Sequence, residues 1–296
     1  MKNLFLIANP SSGTGKIKTQ LFSVVSILSA QYRVTVHITT CRGDATYQAK
    51  TLDDTFDTVV VCGGDGTLNE VITGLMNNKN RYKLGYIPAG TLNEWSSGLK
   101  ISRNMKKAAE DILKENIIPL DIGKFGDKYF TYTASFGAFT EASYSAPQDI
   151  KNVLGKLAYF LEGVKTLENI RPIHLRFLCD GEIIEDDFVF GTISNSMSVG
   201  GVVHYDETVV ELSDGLFEVL LLHYPKNLNN LNNLITAILT RDLNRNEITF
   251  LQTKSVKIEN AEKVEWTLDG EYASPHDTIE ITNLHRAIDF LVPPKK

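Results

Sequence analysis

A β-branched run, Thr58-Val59-Val60-Val61-Cys62, leads straight into Gly63-Gly64-Asp65-Gly66-Thr67. An unbroken apolar strand of this kind is covered on both faces, which is the state of strands in parallel sheets flanked by helices. Ligands of open α/β sheets bind at the C-terminal ends of such strands, where glycine lets a backbone approach a phosphate closely. The surrounding sequence keeps the same rhythm. Residues 4–8, 33–38, 84–87 and 117–122 also read as strands. Residues 17–30, with Leu21, Val24, Val25 and Leu28 at helical spacing, read as a helix, as do 45–52, 71–76 and 104–115. This β-α-β-α order predicts an α/β domain with an open, mostly parallel sheet.

The rhythm changes near residue 125. Segments 129–135, 173–179, 188–194, 216–223, 256–258, 264–268 and 278–281 have β character, and Cys179-Asp180-Gly181-Glu182 reads as a hairpin turn. Helical patterns interrupt them at 150–167 and 228–239. The first carries an apolar stripe, Leu154, Leu157, Phe160, Leu161 and Val164, that reads as core, with an acyl-chain groove as the alternative. The second starts in Asn227–Asn233, which holds five asparagines. A length of 296 residues suits about two domains. The expected division is an α/β domain over 1–124, with a tail from about 286 to 296 packing back on it, and a β-rich domain over 125–285. No segment rich in Pro, Ser or Gly separates them, so close packing is expected.

Composition narrows the function. Thirty basic and 36 acidic residues give a net charge of −6, which argues against nucleic acid as a partner and against a polybasic membrane anchor. Three scattered cysteines, Cys41, Cys62 and Cys179, form neither a disulfide framework nor a zinc spacing. Cys62 sits inside an apolar strand and reads as core packing. His204, His223 and His276 have no paired spacing suited to zinc. The apolar run at 4–8 is too short for a secretory signal, and no run is long enough to span a bilayer. The expected location is the cytoplasm, with any work on lipid done in transient contact at the inner face of the membrane.

Three glycine loops follow strands. Asn9-Pro10-Ser11-Ser12-Gly13-Thr14-Gly15-Lys16 approaches a P-loop, but Pro10 stands where the first glycine belongs and Ile17 where Ser or Thr belongs. It still leads into a helix start, where amides and dipole favour an anion. The second loop is 63–69, where Asp65 is suited to hold Mg²⁺ or orient a general base beside a phosphate. The third is Pro88-Ala89-Gly90-Thr91-Leu92-Asn93-Glu94. Gly-Thr-Leu-Asn-Glu therefore occurs twice, at 66–70 and 90–94. Thr67 with Glu70, and Thr91 with Glu94, each fit a capping box. Two neighbouring helix N-termini at one crevice would make a polyphosphate site.

These loops resemble those of the diacylglycerol kinase catalytic-domain family, especially its soluble bacterial lipid kinases, and the resemblance runs the length of the chain. Asn9-Pro10-x-Ser12-Gly13 is similar to the family's first nucleotide loop, Gly63-Gly64-Asp65-Gly66-Thr67 with Asn69-Glu70 to its central signature, and Pro88-x-Gly90-Thr91-x-Asn93 to its third loop. Asn195, Gly200-Gly201 and Asp214-Gly215-Leu216 resemble its second-domain pattern, and Asp269-Gly270-Glu271 its late catalytic motif. The resemblance implies a phosphofructokinase- and NAD kinase-like nucleotide domain, a β-sandwich-like second domain, and a site in the cleft between them. It implies an ATP- and Mg²⁺-dependent kinase phosphorylating diacylglycerol or a related lipid alcohol. The nucleotide contacts carried over are Asn9, Pro10, Ser11, Ser12, Gly13, Thr39, Gly63, Gly64, Asp65, Gly66, Thr67, Leu68, Asn69, Gly90, Thr91 and Asn93. Glu271 corresponds to the general base and Asp65 to the aspartate near the reacting phosphate. A second Mg²⁺ site corresponds to Asp214 with the carbonyls of Glu211 and Leu216. A lipid substrate, peripheral membrane contact and a homodimer are the implied partners.

The sequence departs from the family at Glu94, where Asp is usual, and in His204-Tyr205-Asp206-Glu207-Thr208, which lacks a proline before the Asp214 element. Phosphoryl transfer to an alcohol needs in-line placement and neutralised phosphate charge. Only Lys16 and Arg42 are basic in or beside these motifs, so metal and backbone are expected to supply most of that charge. Asp180-Gly181-Glu182 repeats the Asp-Gly-Glu triplet, so only position favours Glu271 over Glu182. Two other readings stay open: a kinase for a soluble polyol or nucleotide in the manner of NAD kinase, and a nucleotide-binding regulator without catalysis.

Overall fold

A computed structural model describes residues 1–13, 15–91, 93–137, 171–195, 198–199, 203–204, 212–240 and 242–294. The chain divides into two compact units, Met1–Leu120 with Arg286–Lys296, and Asp121–His285.

The first unit contains β1 (Lys2–Ala8), α1 (Ile17–Leu28), β2 (Tyr32–Ile38), α2 (Asp44–Thr51), β3 (Thr58–Gly63), α3 (Asp65–Met76), β4 (Lys83–Pro88), α4 (Glu94–Gly98) and α5 (Met105–Ile112). The strands are parallel, in the order β2-β1-β3-β4, and β3 is buried at every residue. Asp289 and Phe290 add a further parallel pairing beside β4, and the Phe290 ring stacks on Trp95 of α4 at 5.2 Å. Arg81 clamps Asp289 with two hydrogen bonds, at 3.0 and 2.9 Å. The helix expected at 71–76 begins earlier, at Asp65. Gly, Thr and Asn are weak helix formers, so 65–69 reads as loop until its tertiary contacts are counted.

The second unit contains β5 (Ile117–Phe125, shared at its start with the first unit), β6 (Lys128–Phe130), β7 (Thr133–Gly137), β8 (Ile173–Cys179), β9 (Glu182–Ser194), β10 (Ser198–Val199), β11 (Val203–His204), β12 (Phe217–His223), α6 (Leu228–Thr240), β13 (Ile248–Thr253), β14 (Ser255–Glu259), β15 (Trp266–Leu268), β16 (Glu271–Ala273) and the start of β17 (Ile279–Leu291). Its pairings are antiparallel. The long strand β9 organises them, pairing β8 and β7 along its length as well as β12. The core is aromatic: Trp266 lies 4.9 Å from Phe136 and 5.4 Å from Phe125, and Phe177 meets Phe188 edge-on at 5.5 Å. The asparagine-rich segment does start a helix, with Asn227 Oδ1 accepting the Asn230 amide at 2.9 Å. Residues 129–135 form two strands rather than one, broken at Thr131-Tyr132. Strand β13 was not foreseen. The helix expected at 150–167 lies outside the described residues. No helix among the described residues is long and apolar enough to cross a membrane.

Glu115 ties the first unit together. Its carboxylate accepts from Lys2 Nζ at 2.6 Å and from the Tyr32 hydroxyl at 2.8 Å, and lies 3.5 Å from Lys83 Nζ. The Lys2 bonds, then the Tyr32 bond, pull its pKa from 4.5 down to about 2. A carboxylate depressed on folding stabilises above its unfolded pKa, and that contribution drains as pH falls through the folded one. Urea midpoints of wild type and Glu115→Gln should therefore differ fully at pH 7. The gap should close as pH falls from 4.5 to about 2. A gap that persists at the acid end would refute this assignment.

Candidate functional site

The loops after β1, β3 and β4 meet backbone to backbone. Strands β3 and β4 pair as far as Gly63 opposite Pro88, and the Ala89 amide then donates to Gly63 O at 2.7 Å. Beyond that point there is no room for side chains. A Cβ on Gly90 would sit 2.6 Å from Gly64 Cα, and one on Gly13 would sit 2.3 Å from Ala89 O. Polar side chains complete the junction. Asn9 Oδ1 accepts the Ser11 amide at 3.0 Å, and its Nδ2 donates to Thr67 Oγ1 at 2.9 Å. Ser12 Oγ accepts the Gly64 amide at 3.2 Å. Asn93 Oδ1 accepts the Gly90 amide at 2.8 Å, and its Nδ2 donates to Gly90 O at 2.7 Å.

The two capping boxes do not form. Helix α3 starts at Asp65 with Gly64 as its cap, and Leu68 N donates to Gly64 O at 3.1 Å. Thr67 is inside the first turn, held by Asn9. Glu70 points elsewhere, its Oε1 accepting the Gly43 amide at 3.0 Å. In the second copy Asn93 is the cap residue, with φ +50, before a helix of five residues. The pair of helix N-termini expected at one crevice is therefore one long helix and one short turn.

Of the expected nucleotide contacts, Asn9, Ser12, Thr67 and Asn93 spend side-chain atoms on the junction itself, and Leu68 is buried in the core. Ser11, Gly66 and Thr91 are exposed, and Asp65 is half-buried in the first turn of α3, where a carboxylate suits the dipole. Pro10, Gly13, Gly63, Gly64 and Gly90 offer backbone. Thr39 closes the end of β2, its amide donating to Ala8 O at 2.9 Å, directly beside Asn9. Sequence reasoning missed Tyr86. Its buried hydroxyl lies 3.1 Å from Asn93 Oδ1 and 3.4 Å from Asp65 Oδ1. Burial, then the Asp65 charge, raises the pKa of the phenol far above its ordinary value. The available signal was a lone hydroxyl in an apolar strand just ahead of a glycine loop. Cys62 is core, and burial pushes its thiol up to about 12.

Glu271, Asp214 and Leu216 belong to the second unit. Asp269 and Gly270 have φ of +50 and +84, the tight two-residue turn of a β-hairpin, with Leu268 paired to Glu271. Asp180 and Gly181 form the same turn, at +46 and +95. The aspartates differ. Asp180 is exposed, while the Asp269 carboxyl is enclosed and accepts the amides of Thr131, Tyr132 and Thr133 at 2.8, 2.8 and 3.1 Å, plus the Thr131 hydroxyl at 2.8 Å. Burial raises its pKa against those hydrogen bonds. These amides are the break in the 129–135 segment. Glu271 follows, exposed, on a turn held from beneath.

At the expected second metal site, Asp214 Oδ1 accepts the Leu216 amide at 2.9 Å and Leu216 O accepts from Asn283 Nδ2 at 3.0 Å. Asp121, buried and not foreseen, holds the same turn by accepting the Gly215 amide at 2.7 Å, with His285 Nδ1 3.2 Å from its other oxygen. Glu211 lies outside the described residues. A carboxylate and a carbonyl on one turn are hard donors of the kind Mg²⁺ takes. They fit such an ion without completing its shell, and no cluster of three or more acidic, His or Cys ligands occurs among the described residues.

Residues 3–125 match the family described as the diacylglycerol kinase catalytic domain, and residues 134–283 match the YegS C-terminal NAD kinase beta sandwich-like domain. The α/β unit and the β-sandwich-like unit correspond to these two. A diacylglycerol kinase of Bacillus subtilis is 34% identical, covering 100% of this chain and 98% of its own. One from Staphylococcus aureus is 29% identical over 99% and 93%. The crystal structure of a diacylglycerol kinase from Bacillus anthracis superposes with a TM-score of 0.75 at 26% identity, covering 99% of this chain and 97% of the other.

The twin turns carry their own control. Alanine at either position meets the same positive-φ penalty, so the difference weighs the three enclosed amides held by Asp269 against the one exposed Lys254 amide that Asp180 accepts at 2.9 Å. Asp269→Ala leaves three amides without their acceptor and should cost about 3 kcal/mol or more in urea unfolding, against about 1 kcal/mol for Asp180→Ala. Equal losses would refute the anchoring role.

Proposed function

The chain belongs to the diacylglycerol kinase-like family of bacterial lipid kinases, and on that premise we propose that it transfers the γ-phosphoryl group of ATP to the hydroxyl of diacylglycerol or a related lipid alcohol. The observation that carries this is the end-to-end likeness to the Bacillus subtilis diacylglycerol kinase, which runs through both units. The α/β unit is read as phosphofructokinase-like. On this reading the loop amides bind the phosphates, since the loop side chains are largely occupied by one another. Asp65 would hold one Mg²⁺, and Asp214, with the carbonyls of Leu216 and Glu211, would hold a second; such an ion would offset the negative charge of the phosphates. Glu271 takes the proton of the acceptor hydroxyl as transfer proceeds, and the enclosed Asp269 keeps its turn in place. The lipid is met by peripheral contact with a membrane surface, from the cytoplasm, with a homodimer as the working assembly.

The second family description contains NAD kinase in its name, which makes NAD the soluble acceptor to set against lipid. The test is transfer of ³²P from γ-labelled ATP with Mg²⁺ to detergent-dispersed diacylglycerol, monoacylglycerol, phosphatidylglycerol, ceramide and sphingosine, with NAD alongside. Label is expected in diacylglycerol, and label in NAD alone would overturn the lipid reading. Glu271→Gln should lower transfer about 10²–10⁴-fold while ATP affinity stays at the wild-type level. Glu182→Gln, in the matching turn, should change neither. Transfer by Glu271→Gln near the wild-type rate would remove Glu271 from its role.

A further inference from the structure

Tyr86 lies at the centre of β4, between the buried residues Leu84 and Ile87. A phenylalanine would fill the same space, so packing does not account for the hydroxyl, which costs stability when taken out of water without a partner. Tyr82, just ahead of the same strand, supplies the comparison. Its buried hydroxyl lies 2.7 Å from Leu52 O and 3.0 Å from Asp53 O, so it ties main chain to main chain. The Tyr86 hydroxyl ties two side chains instead, one on each of two glycine loops: Asn93 Oδ1 at 3.1 Å and Asp65 Oδ1 at 3.4 Å. Asn93 is already fixed from both ends of its amide, Oδ1 accepting the Gly90 amide at 2.8 Å and Nδ2 donating to Gly90 O at 2.7 Å. Its Oδ1 is therefore an acceptor, an ionised Asp65 is another, and toward both the hydroxyl can only donate. Asn93 is the anchored end of this bridge, and the hydroxyl extends that anchorage to the carboxylate of Asp65.

We infer that Tyr86 is a positioning residue for cation binding at Asp65: its hydroxyl holds one carboxylate oxygen against the third glycine loop and so sets how Asp65 meets a divalent ion. Carboxylates that ligate metals are themselves oriented by hydrogen bonds from a surrounding layer of residues, and losing such a partner weakens the metal without removing a ligand. A carboxylate restrained in advance also gives up less freedom when the ion binds. The inference rests on the reading of Asp65 as a Mg²⁺ ligand. To that reading it adds a residue from the strand beneath the loops, outside every motif of the sequence.

The test is calorimetric titration of the full chain with ADP, with and without Mg²⁺, so that it reads binding and needs no turnover. Mg²⁺ should tighten ADP binding in wild type. Tyr86→Phe, which keeps the ring, should lose about fivefold of that tightening and bind ADP without Mg²⁺ as wild type does. Tyr82→Phe removes the structural hydroxyl, so it should lower the urea midpoint and leave the Mg²⁺ effect at its wild-type size. Asp65→Asn should abolish the effect. A wild-type Mg²⁺ effect in Tyr86→Phe, alongside its loss in Asp65→Asn, overturns the role of Tyr86 and leaves the Asp65 reading standing. An equal reduction in Tyr86→Phe and Tyr82→Phe also overturns that role, because loosening of the strand would then explain both. A Mg²⁺ effect that survives Asp65→Asn, or that is absent in wild type, overturns the Asp65 reading and this inference with it.

Discussion

The approach of Gly64 to Gly90 sets the geometry of the loops at the C-terminal edge of the first unit's parallel strands. Parallel neighbours in a sheet are about 4.8 Å apart, and the chain beyond each strand normally splays to make room for side chains. Here it does not splay, because a Cβ on Gly90 would come within 2.6 Å of the opposite α-carbon. Once those two backbones touch, the loop after β1 can close over them, with Ser12 bonded to Gly64 and Gly13 against Ala89. Asn9, Thr67 and Asn93 then become mortar. What remains for a ligand is mostly amide, which is the chemistry that suits phosphate.

That consequence explains what the sequence could and could not reveal. The strands were legible because burial on both faces selects apolar side chains, Val59 to Cys62 in β3 and Leu84, Tyr86 and Ile87 in β4. The paired Gly-Thr-Leu-Asn-Glu was legible as something shared, but not as what it is. Capping is a local rule, and it assigned both copies the same structure. The copies diverge because only the first has a nonlocal partner: Asn9 draws Thr67 into the first turn of α3, whereas Asn93 turns left-handed to grip Gly90 three residues before it. The first contact spans 58 residues and lies beyond any local rule, while the second is local but follows a turn rather than a capping box.

The Asp-Gly-Glu triplets make the same point in the second unit. Locally they are one turn, with matching φ angles and matching pairing. Their difference lies 138 residues upstream, where Thr131 and its neighbours bring their amides to Asp269. The same convergence splits the expected strand at 129–135. Sequence position alone distinguished Glu271 from Glu182. The structure adds a physical reason, since only one of the two glutamates stands on a turn anchored into the core.

Tyr86, which no sequence motif marks, links Asp65 and Asn93, which the motifs do mark. It has one hydroxyl proton and two carboxyl or amide oxygens in reach, and it lies closer to Asn93 than to Asp65. Burial and the Asp65 charge keep the phenol protonated, so it remains a donor at any ordinary pH. Asn93 Oδ1 also takes the Gly90 amide, so the shape of the third loop and the surroundings of Asp65 share one hydrogen-bonded group. Of its two acceptors, the phenol thus holds the structural amide more tightly and the carboxylate more loosely.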